Sequence, residues 1–277
     1  MFNNSKVSSN NIVLIPKYIH FCWFGEGELP QIVQTCIASW KKLMPDHDII
    51  KWDENNSPMD VQYMKRALSL KKFANMSNYM RLWALRKMGG WYFDTDILLL
   101  KTPNLTKYSE DCFLGLETKP WEQPFFVNNA VIAAIPNCSF INNCLNTLTE
   151  NFDGTEEANM SSPHLTTFEL RKLGFQGKPC SIKNIRIFSH DFFYPSSWYE
   201  DFDIKMATKN SICVHYNHGS WIDLSSFDKM QLLNLLKENY KNKNELHNFM
   251  NGRVSIKQFV FFNIKFYINL LKFFIRV

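Results

Sequence analysis

The sequence predicts an α/β fold, and three observations support this prediction. Segments with strand and helix character alternate through roughly the first hundred residues, as in a sheet covered by helices. Hydrophobic residues make up 45% of the 277 residues, enough to bury a substantial core within one domain. A Gly-Gly break and an aromatic strand lead directly into Asp94 and Asp96, and α/β proteins bind ligands at such strand ends.

The individual elements follow from local signals along the chain. Strands are expected at 12–24, 48–52 and 131–135, and helices at 30–44, 58–70 and 71–88. The first helix begins with Pro30, which suits a first helical position. In the last of these helices apolar and aromatic residues recur at helical spacing, and Gly89 is a suitable end.

Asp94 and Asp96 indicate a cation site. In an extended segment both side chains would point to the same side, and two close carboxylates repel each other unless a positive charge lies between them. Mg²⁺ or Mn²⁺ binds one or two carboxylates and takes its other oxygens from water and phosphates. The alternative is a solvated turn or helix cap, but the aromatic strand before the pair and the apolar run after it favour a metal site.

Three polar residues of the long helix share one stripe that faces the same region. Ser77, Asn78 and Arg81 are three or four positions apart or adjacent, so their side chains lie together on the helix surface. They would offer a hydroxyl, an amide and a fixed cation to a ligand. The alternative is an ordinary helix surface with a solvated arginine.

Several ordered segments resemble glycosyltransferase family 32, which includes bacterial capsular and lipopolysaccharide transferases and is similar in its core to clostridial toxin glucosyltransferases. The segments are IPKYIHFCWFG at 15–25, Ser39-Trp40, 74–96 and VHYNHGSW at 214–221, and together they span most of 12–223. The resemblance implies a GT-A-type nucleotide-sugar-binding fold, with a mixed, mainly parallel sheet flanked by helices. A nucleotide-diphosphate sugar, with a UDP-sugar favoured, would lie across the carboxyl edge of that sheet.

The resemblance also implies roles for matching residues. Asp94, Asp96 and Arg81 would form the catalytic centre, with Asp96 on the metal and Asp94 on the ribose, the sugar or a metal-bound water. The donor site would include Trp23, Phe24, Ser77, Asn78, Arg81, Tyr92, Asp94, Asn129, Ser220 and Trp221. Mn²⁺ or Mg²⁺ would be held by Asp94, Asp96, His215 and His218. Trp23 as a core residue, and one or both histidines as simple loop residues, remain open alternatives.

The chain departs from the family pattern at two positions. The family has Ser-Asp-Tyr where this sequence has Ser77-Asn78-Tyr79, so a charged acceptor is replaced by an amide. The change indicates a different donor sugar, an N-acetyl or amino sugar for example, or weaker activity. Ser162 replaces the glycine of a Gly-Pro loop. Residues 117–130 and 150–167 are the candidates for acceptor recognition, because loops on a rigid scaffold often set specificity.

The charge distribution divides the chain into three parts: a polar extension at 1–11, the transferase domain at 12–228 and a basic tail at 229–277. The tail has nine Lys or Arg and two Glu, a net charge of +7, which leaves −2 for the rest of the chain. Residues 255–277 form an amphipathic helical pattern with a narrow cationic stripe, and three cations in the last twenty residues argue against a spanning helix. We expect this helix to lie on an anionic membrane surface; packing on the domain or on a second subunit is the alternative.

These features predict a metal-dependent, retaining glycosyltransferase that extends a polysaccharide or lipid-linked oligosaccharide. Seven scattered cysteines without a C-x-x-C pair, and no secretory signal, indicate a cytoplasmic protein at the inner face of the membrane. Nucleic-acid binding is not expected, because the basic residues alternate with bulky apolar ones. One alternative is a non-catalytic sugar- or membrane-binding relative. The other is an Asp-nucleophile phosphatase, disfavoured because no Gly-Thr turn follows the aspartates.

Overall fold

The computed structural model describes residues 15–119, 125–197 and 204–216. In these ranges the strands are β1 (Tyr18–Cys22), β2 (Asp48–Trp52), β3 (Gly90–Phe93), β4 (Ile97–Leu99), β5 (Cys112–Leu116), β6 (Val127–Ala134), β7 (Cys180–Ile182), β8 (Ile185–Phe188) and β9 (Cys213–His215). The α-helices are α1 (Gln31–Leu43), α2 (Gln62–Ser69), α3 (Phe73–Met88), α4 (Ser139–Asn151), α5 (Leu165–Lys172) and α6 (His190–Phe193).

Seven strands form one mixed sheet in the order β2-β1-β3-β6-β5-β8-β7. The pairs β1–β2, β1–β3 and β5–β8 are parallel, whereas β6 is antiparallel to β3 and β5, and β7 is antiparallel to β8. Five strands therefore run in one direction and two, β6 and β7, in the other. The predicted α/β fold with a mixed, mainly parallel sheet is confirmed.

The sheet separates two hydrophobic cores because alternate strand residues point to opposite faces. Tyr92 joins the core that packs on α2, α3 and α4, whereas its neighbours Trp91 and Phe93 join the core formed with α1 and α6. All residues of β3, β5 and β6 are buried. This alternation places the Tyr92 ring on the same side of the sheet as the polar stripe of α3.

A second, two-stranded sheet pairs β4 with β9 in antiparallel register, with Ile97 opposite His215. Helix α1 anchors β4 from the side: the indole Nε1 of Trp40 donates to the Ile97 carbonyl at 2.7 Å, and Ser39 Oγ accepts from the Leu99 amide at 3.0 Å. The Ser39-Trp40 pair therefore fixes the strand that directly follows Asp96.

The predicted boundaries agree best where the local signal is strong. Strand 48–52 is confirmed without a shift, α1 and α3 end within a few residues of the prediction, and Gly89 ends α3 with a left-handed φ of +63°. The extended arrangement expected for Asp94 to Asp96 is wrong, because the Ile97 amide bonds to the Asp94 carbonyl at 3.1 Å and closes a turn between two sheets.

The expected loop at 150–167 is partly helical. A π-helical turn at Met160–His164 continues directly into α5, and Asn128 and Asn129 lie within β6 rather than before it. The extension at 1–11 and the tail at 229–277 lie outside the described residues. Among the residues that the structure describes, no helix is long and apolar enough to cross a membrane.

Candidate functional site

The predicted site residues meet at one edge of the large sheet. Trp23 follows the end of β1 and Asp94 follows the end of β3. Because β6 is antiparallel to β3, with Val131 opposite Phe93, its first residues reach the same edge and include Asn129. The Asp94 amide donates to the Ala130 carbonyl at 2.8 Å, which fixes the start of the aspartate turn.

Arg81 forms a buried ion pair with Asp94. Its Nη2 lies 3.0 Å from Asp94 Oδ1, and the side chains of the two residues are 5% and 27% exposed. The guanidinium stacks over the Tyr92 ring at 4.7 Å, and the Tyr92 hydroxyl donates to the same Asp94 oxygen at 2.9 Å. This geometry excludes the solvated arginine considered above, because the Arg81 side chain is buried, paired with Asp94 and stacked on Tyr92.

Burial affects the protonation of both partners of Asp94. Burial lowers the pKa of Arg81, but Asp94, together with smaller contributions from Tyr92, Cys22 and Tyr194, outweighs burial and raises the pKa, so the guanidinium stays charged. Burial raises the pKa of Tyr92 well above its ordinary value, and its hydroxyl therefore keeps the proton that it donates. Asp94 thus receives one charged and one neutral hydrogen bond on Oδ1.

Asn129 connects Arg81 to the helical turn at 160–164. Arg81 Nη1 donates to the Asn129 carbonyl at 2.8 Å and to its Oδ1 at 2.6 Å. The same Oδ1 accepts from Ser162 Oγ at 2.5 Å, while the amide nitrogen donates to Thr166 Oγ1 at 3.1 Å. These bonds account for both side-chain polar atoms of Asn129, which is 1% exposed.

Asp96 is held by the strand that pairs with β4. His215 Nε2 lies 3.0 Å from Asp96 Oδ1, with the side chains 12% and 14% exposed, and the Tyr216 amide donates to the Asp96 carbonyl at 3.0 Å. Burial opposes protonation of His215, but the charges of Asp96, Asp94 and Glu117 outweigh it and raise the pKa of the imidazole. The two aspartates therefore have different partners, an arginine for the first and a histidine for the second.

The carboxylates of this turn suit a hard divalent cation. Both are partly exposed at the sheet edge, and the bonds that Arg81 and Tyr92 donate to Asp94 both use Oδ1 and not Oδ2. Carboxylate oxygens are the ligands that Mg²⁺ and Mn²⁺ prefer. Within 15–119, 125–197 and 204–216, no group of three or more His, Cys, Asp or Glu side chains is placed to hold a metal ion.

The other predicted donor-site residues differ in their surroundings. Trp23 is half-buried and its indole Nε1 donates to the Gly27 carbonyl at 3.2 Å, whereas Phe24 is buried in the core. Ser77 donates to the Phe73 carbonyl of its own helix at 3.0 Å. Asn78 is buried and bonds to the segment before α5. His218, Ser220 and Trp221 lie outside the described residues.

Sequence reasoning missed two contributions to the site. Ser162 was noted as a replacement for glycine, but its bond to Asn129 depends on a contact between distant elements. Glu117, directly after β5, adds a third carboxylate whose charge acts on His215. No local pattern in the sequence identifies either residue, because both contributions arise from the sheet order.

Residues 30–113, which run from α1 into β5 and contain Arg81, Asp94 and Asp96, match the model of a family described as a glycosyltransferase sugar-binding region containing a DXD motif. The match covers 84 of the 277 residues and supports assignment of the chain as a glycosyltransferase. The mixed sheet flanked by helices agrees with the GT-A type that the resemblance implied. No curated protein matches the sequence.

Several solved structures are distantly similar. PaToxG glycosyltransferase is 21% identical, with a TM-score of 0.48, over 57% of this chain and 69% of that one. A glycosyltransferase involved in glycosylation of the major capsid of PBCV-1 is 10% identical, with a TM-score of 0.42, over 72% and 93%. The galactosyltransferase LgtC, in complex with donor and acceptor sugar analogs, is 12% identical, with a TM-score of 0.38, over 72% and 86%. The class assignment therefore rests on the family match.

Proposed function

We propose that the protein is a metal-dependent glycosyltransferase that moves a sugar from a nucleotide-diphosphate donor, preferably a UDP-sugar, to a glycan acceptor. The observation that carries this proposal is the turn with Asp94 and Asp96 at the sheet edge, where buried Arg81 holds the first aspartate. The turn lies inside the segment that matches a sugar-binding family with a DXD motif. Retention of configuration is part of the proposal and follows from the resemblance.

Asp94 and Asp96 would hold Mn²⁺ or Mg²⁺, which when bound neutralises the charge of the leaving diphosphate. Arg81 and Tyr92 fix the orientation of the Asp94 carboxylate through Oδ1, and His215 does the same for Asp96. Residues that are already oriented need not reorganise during the reaction, which is the main advantage of a preorganised site. The further ligands of the ion would come from water and the donor diphosphate.

The acceptor is proposed to be a lipid-linked oligosaccharide or a growing polysaccharide in surface polysaccharide synthesis, as in capsule or lipopolysaccharide formation. Residues 117–130 and 150–167 are proposed to recognise it. The basic tail, with its net charge of +7, supports a peripheral position on the anionic, cytoplasmic face of a membrane through 255–277. A membrane location would bring the enzyme to a lipid-linked acceptor.

The test is release of nucleoside diphosphate from a panel of UDP- and GDP-sugars by the full chain, with Mn²⁺ or with EDTA. Asp96→Ala should lose release by at least about 100-fold, since metal binding contributes several kcal/mol of charge stabilisation. Asp46→Ala is the matched control, because that aspartate is exposed and far from the turn in the chain, with a side chain 75% accessible. It should behave like the native chain.

Absence of release from every donor, even with membrane extract supplying acceptors, would contradict the proposal and favour a non-catalytic sugar-binding relative. Release that persists in EDTA and in Asp96→Ala would contradict the metal dependence. Hydrolysis of a phosphomonoester in place of a nucleotide sugar would point to the phosphatase alternative.

A further inference from the structure

Asn78 occupies the position where the family pattern has aspartate, and both hydrogens of its amide are used inside the protein. The residue is 3% exposed and lies on α3 one turn before Arg81. Its Nδ2 donates to the Ala158 carbonyl at 2.8 Å and to Ser161 Oγ at 3.1 Å. The carbonyl oxygen Oδ1 is therefore the remaining hydrogen-bonding atom of the side chain.

An aspartate at this position would not make the same contacts. A carboxylate has no proton to donate, so its oxygen would face the Ala158 carbonyl oxygen, acceptor against acceptor. The half-buried Ala158 carbonyl would keep only its longer bond from Ser161 Oγ at 3.4 Å, and the loss of its shorter donor would add a cost. The amide of Asn78 is thus matched to a main-chain carbonyl of this particular turn, and its nitrogen is not available to a donor sugar.

The turn that Asn78 holds reaches the catalytic pair on its other side. Ser162 Oγ bonds to Asn129 Oδ1 at 2.5 Å, and that oxygen also accepts from Arg81 Nη1 at 2.6 Å. Arg81 Nη2 in turn bonds to Asp94 at 3.0 Å. The turn is therefore tied to α3 twice, directly through Asn78 and indirectly through Asn129 and Arg81.

A second set of contacts fixes the start of the same segment. Tyr63 of α2 donates to Glu156 Oε1 at 2.5 Å and lies 3.5 Å from Ser161 Oγ. Asn75 of α3 donates to the Glu156 carbonyl at 2.8 Å. Between Glu156 and Ser162, Asn78 makes two shorter bonds, to Ala158 and Ser161, and Tyr63 adds the longer one to Ser161.

We propose that Asn78 is a positioning residue that holds the segment 158–162 against α3, and that this segment fixes Asn129 and the Arg81–Asp94 pair. The inference rests on the proposed function for its kinetic consequence, whereas the positioning itself is measurable without any substrate. Where the family pattern has a charged aspartate, Asn78 instead bonds to the segment 158–162, and Arg81 stays paired with Asp94.

The first test is hydrogen–deuterium exchange of peptides covering 158–164 in the full chain. Asn78→Asp should exchange about tenfold faster in this segment, the result of losing one net hydrogen bond. The reporting amides are that of Met160, which bonds to the Glu157 carbonyl, and those of Ser162 and His164, which bond to the Asn159 carbonyl. Asn143→Asp, an exposed position on α4, is the matched control and should leave the segment unchanged. Unchanged exchange in a folded Asn78→Asp would overturn the proposal.

The second test measures donor hydrolysis in Asn78→Asp and in Ser162→Ala, which cuts only the link to Asn129. Both should lower kcat about tenfold for every accepted donor and change KM less, because a displaced Arg81–Asp94 pair acts on the transition state. The order of donor preference should stay that of the native chain. A changed order of donors in Asn78→Asp, with unaltered exchange, would mean direct sugar contact and overturn the proposal. If the native chain hydrolyses no donor, the proposed function fails, and the exchange experiment still decides the positioning role.

Discussion

Replacing Arg81 with methionine, which keeps an unbranched apolar stem and removes the guanidinium with its charge, should destabilise the protein by about 3–5 kcal/mol. Arg81 is 4% exposed and makes three hydrogen bonds, two to Asn129 and one to Asp94. Methionine would leave the Asn129 oxygens and the Asp94 carboxylate without these donors, and unpaired buried acceptors are costly.

The structure places the expected cost near the lower end of that range. The Asp94 side chain is 27% exposed, so water compensates part of its lost ion pair, and Tyr92 still donates to it. We therefore expect about 3 kcal/mol for Arg81→Met. The double variant Arg81→Met/Asp94→Asn should cost at least about 1 kcal/mol less than the sum of the single changes, because the two side chains interact directly.

The assay is guanidinium chloride unfolding of the full chain, with midpoint and slope fitted together. Arg66→Met is the matched control, since Arg66 forms a surface pair with Asp153 in which the side chains are 49% and 45% exposed. Its effect should stay within about 0.5 kcal/mol. A loss below about 1 kcal/mol for Arg81→Met, or strict additivity in the double variant, would refute the argument that this buried ion pair organises the site.

Two further predictions concern the support of the sheet. Gly89→Ala should lower the free energy of unfolding in urea by more than about 1 kcal/mol, because φ is +63° and the new Cβ would lie 2.7 Å from Pro136. Gly174→Ala is the control for the backbone part of that cost, because Gly174 has a φ of +93° and its new Cβ would meet no atom within 4 Å. His20 accepts from Trp52 at 3.2 Å and bonds to the Gly89 carbonyl at 2.8 Å, and burial lowers its pKa below the ordinary 6.5. The contribution of His20 to the free energy of unfolding is therefore fully present above pH 6.5. It is lost as the pH falls from there through the lower folded-state pKa, because the unfolded chain binds the proton first. His20→Gln should flatten this pH dependence between pH 8 and pH 5, and an unchanged slope would contradict the assignment.

The elements that could be predicted from the sequence are those with local causes. Strand β2 has its own apolar pattern, and Gly89 ends α3 because glycine adopts a left-handed φ without strain. The closeness of Arg81 and Asp94 was also predictable, since a helix and the strand after it pack together. The turn at Asp94 to Asp96 was not, because its shape depends on β4 leaving the large sheet to pair with β9.

The same distinction holds for the site. Asn129 was expected in the cleft, but its role as a link required the knowledge that β6 is antiparallel and that Ser162 lies in a helical turn. The amide of Asn78 was interpreted as a possible sugar contact, whereas its partners are residues of a segment that lies far along the chain. Such bonds between distant elements leave no periodic signal in a single sequence.

The pairing of β4 with β9 has a consequence for how the protein is made. Domains generally fold from the N-terminus during synthesis, at about 5–20 residues per second, so His215 follows Ile97 by roughly 6–24 s. Throughout that interval β4 has an open edge and Asp96 has no imidazole beside it. A fragment limited to the matched segment 30–113 would carry both aspartates without the strand that holds the second one in place.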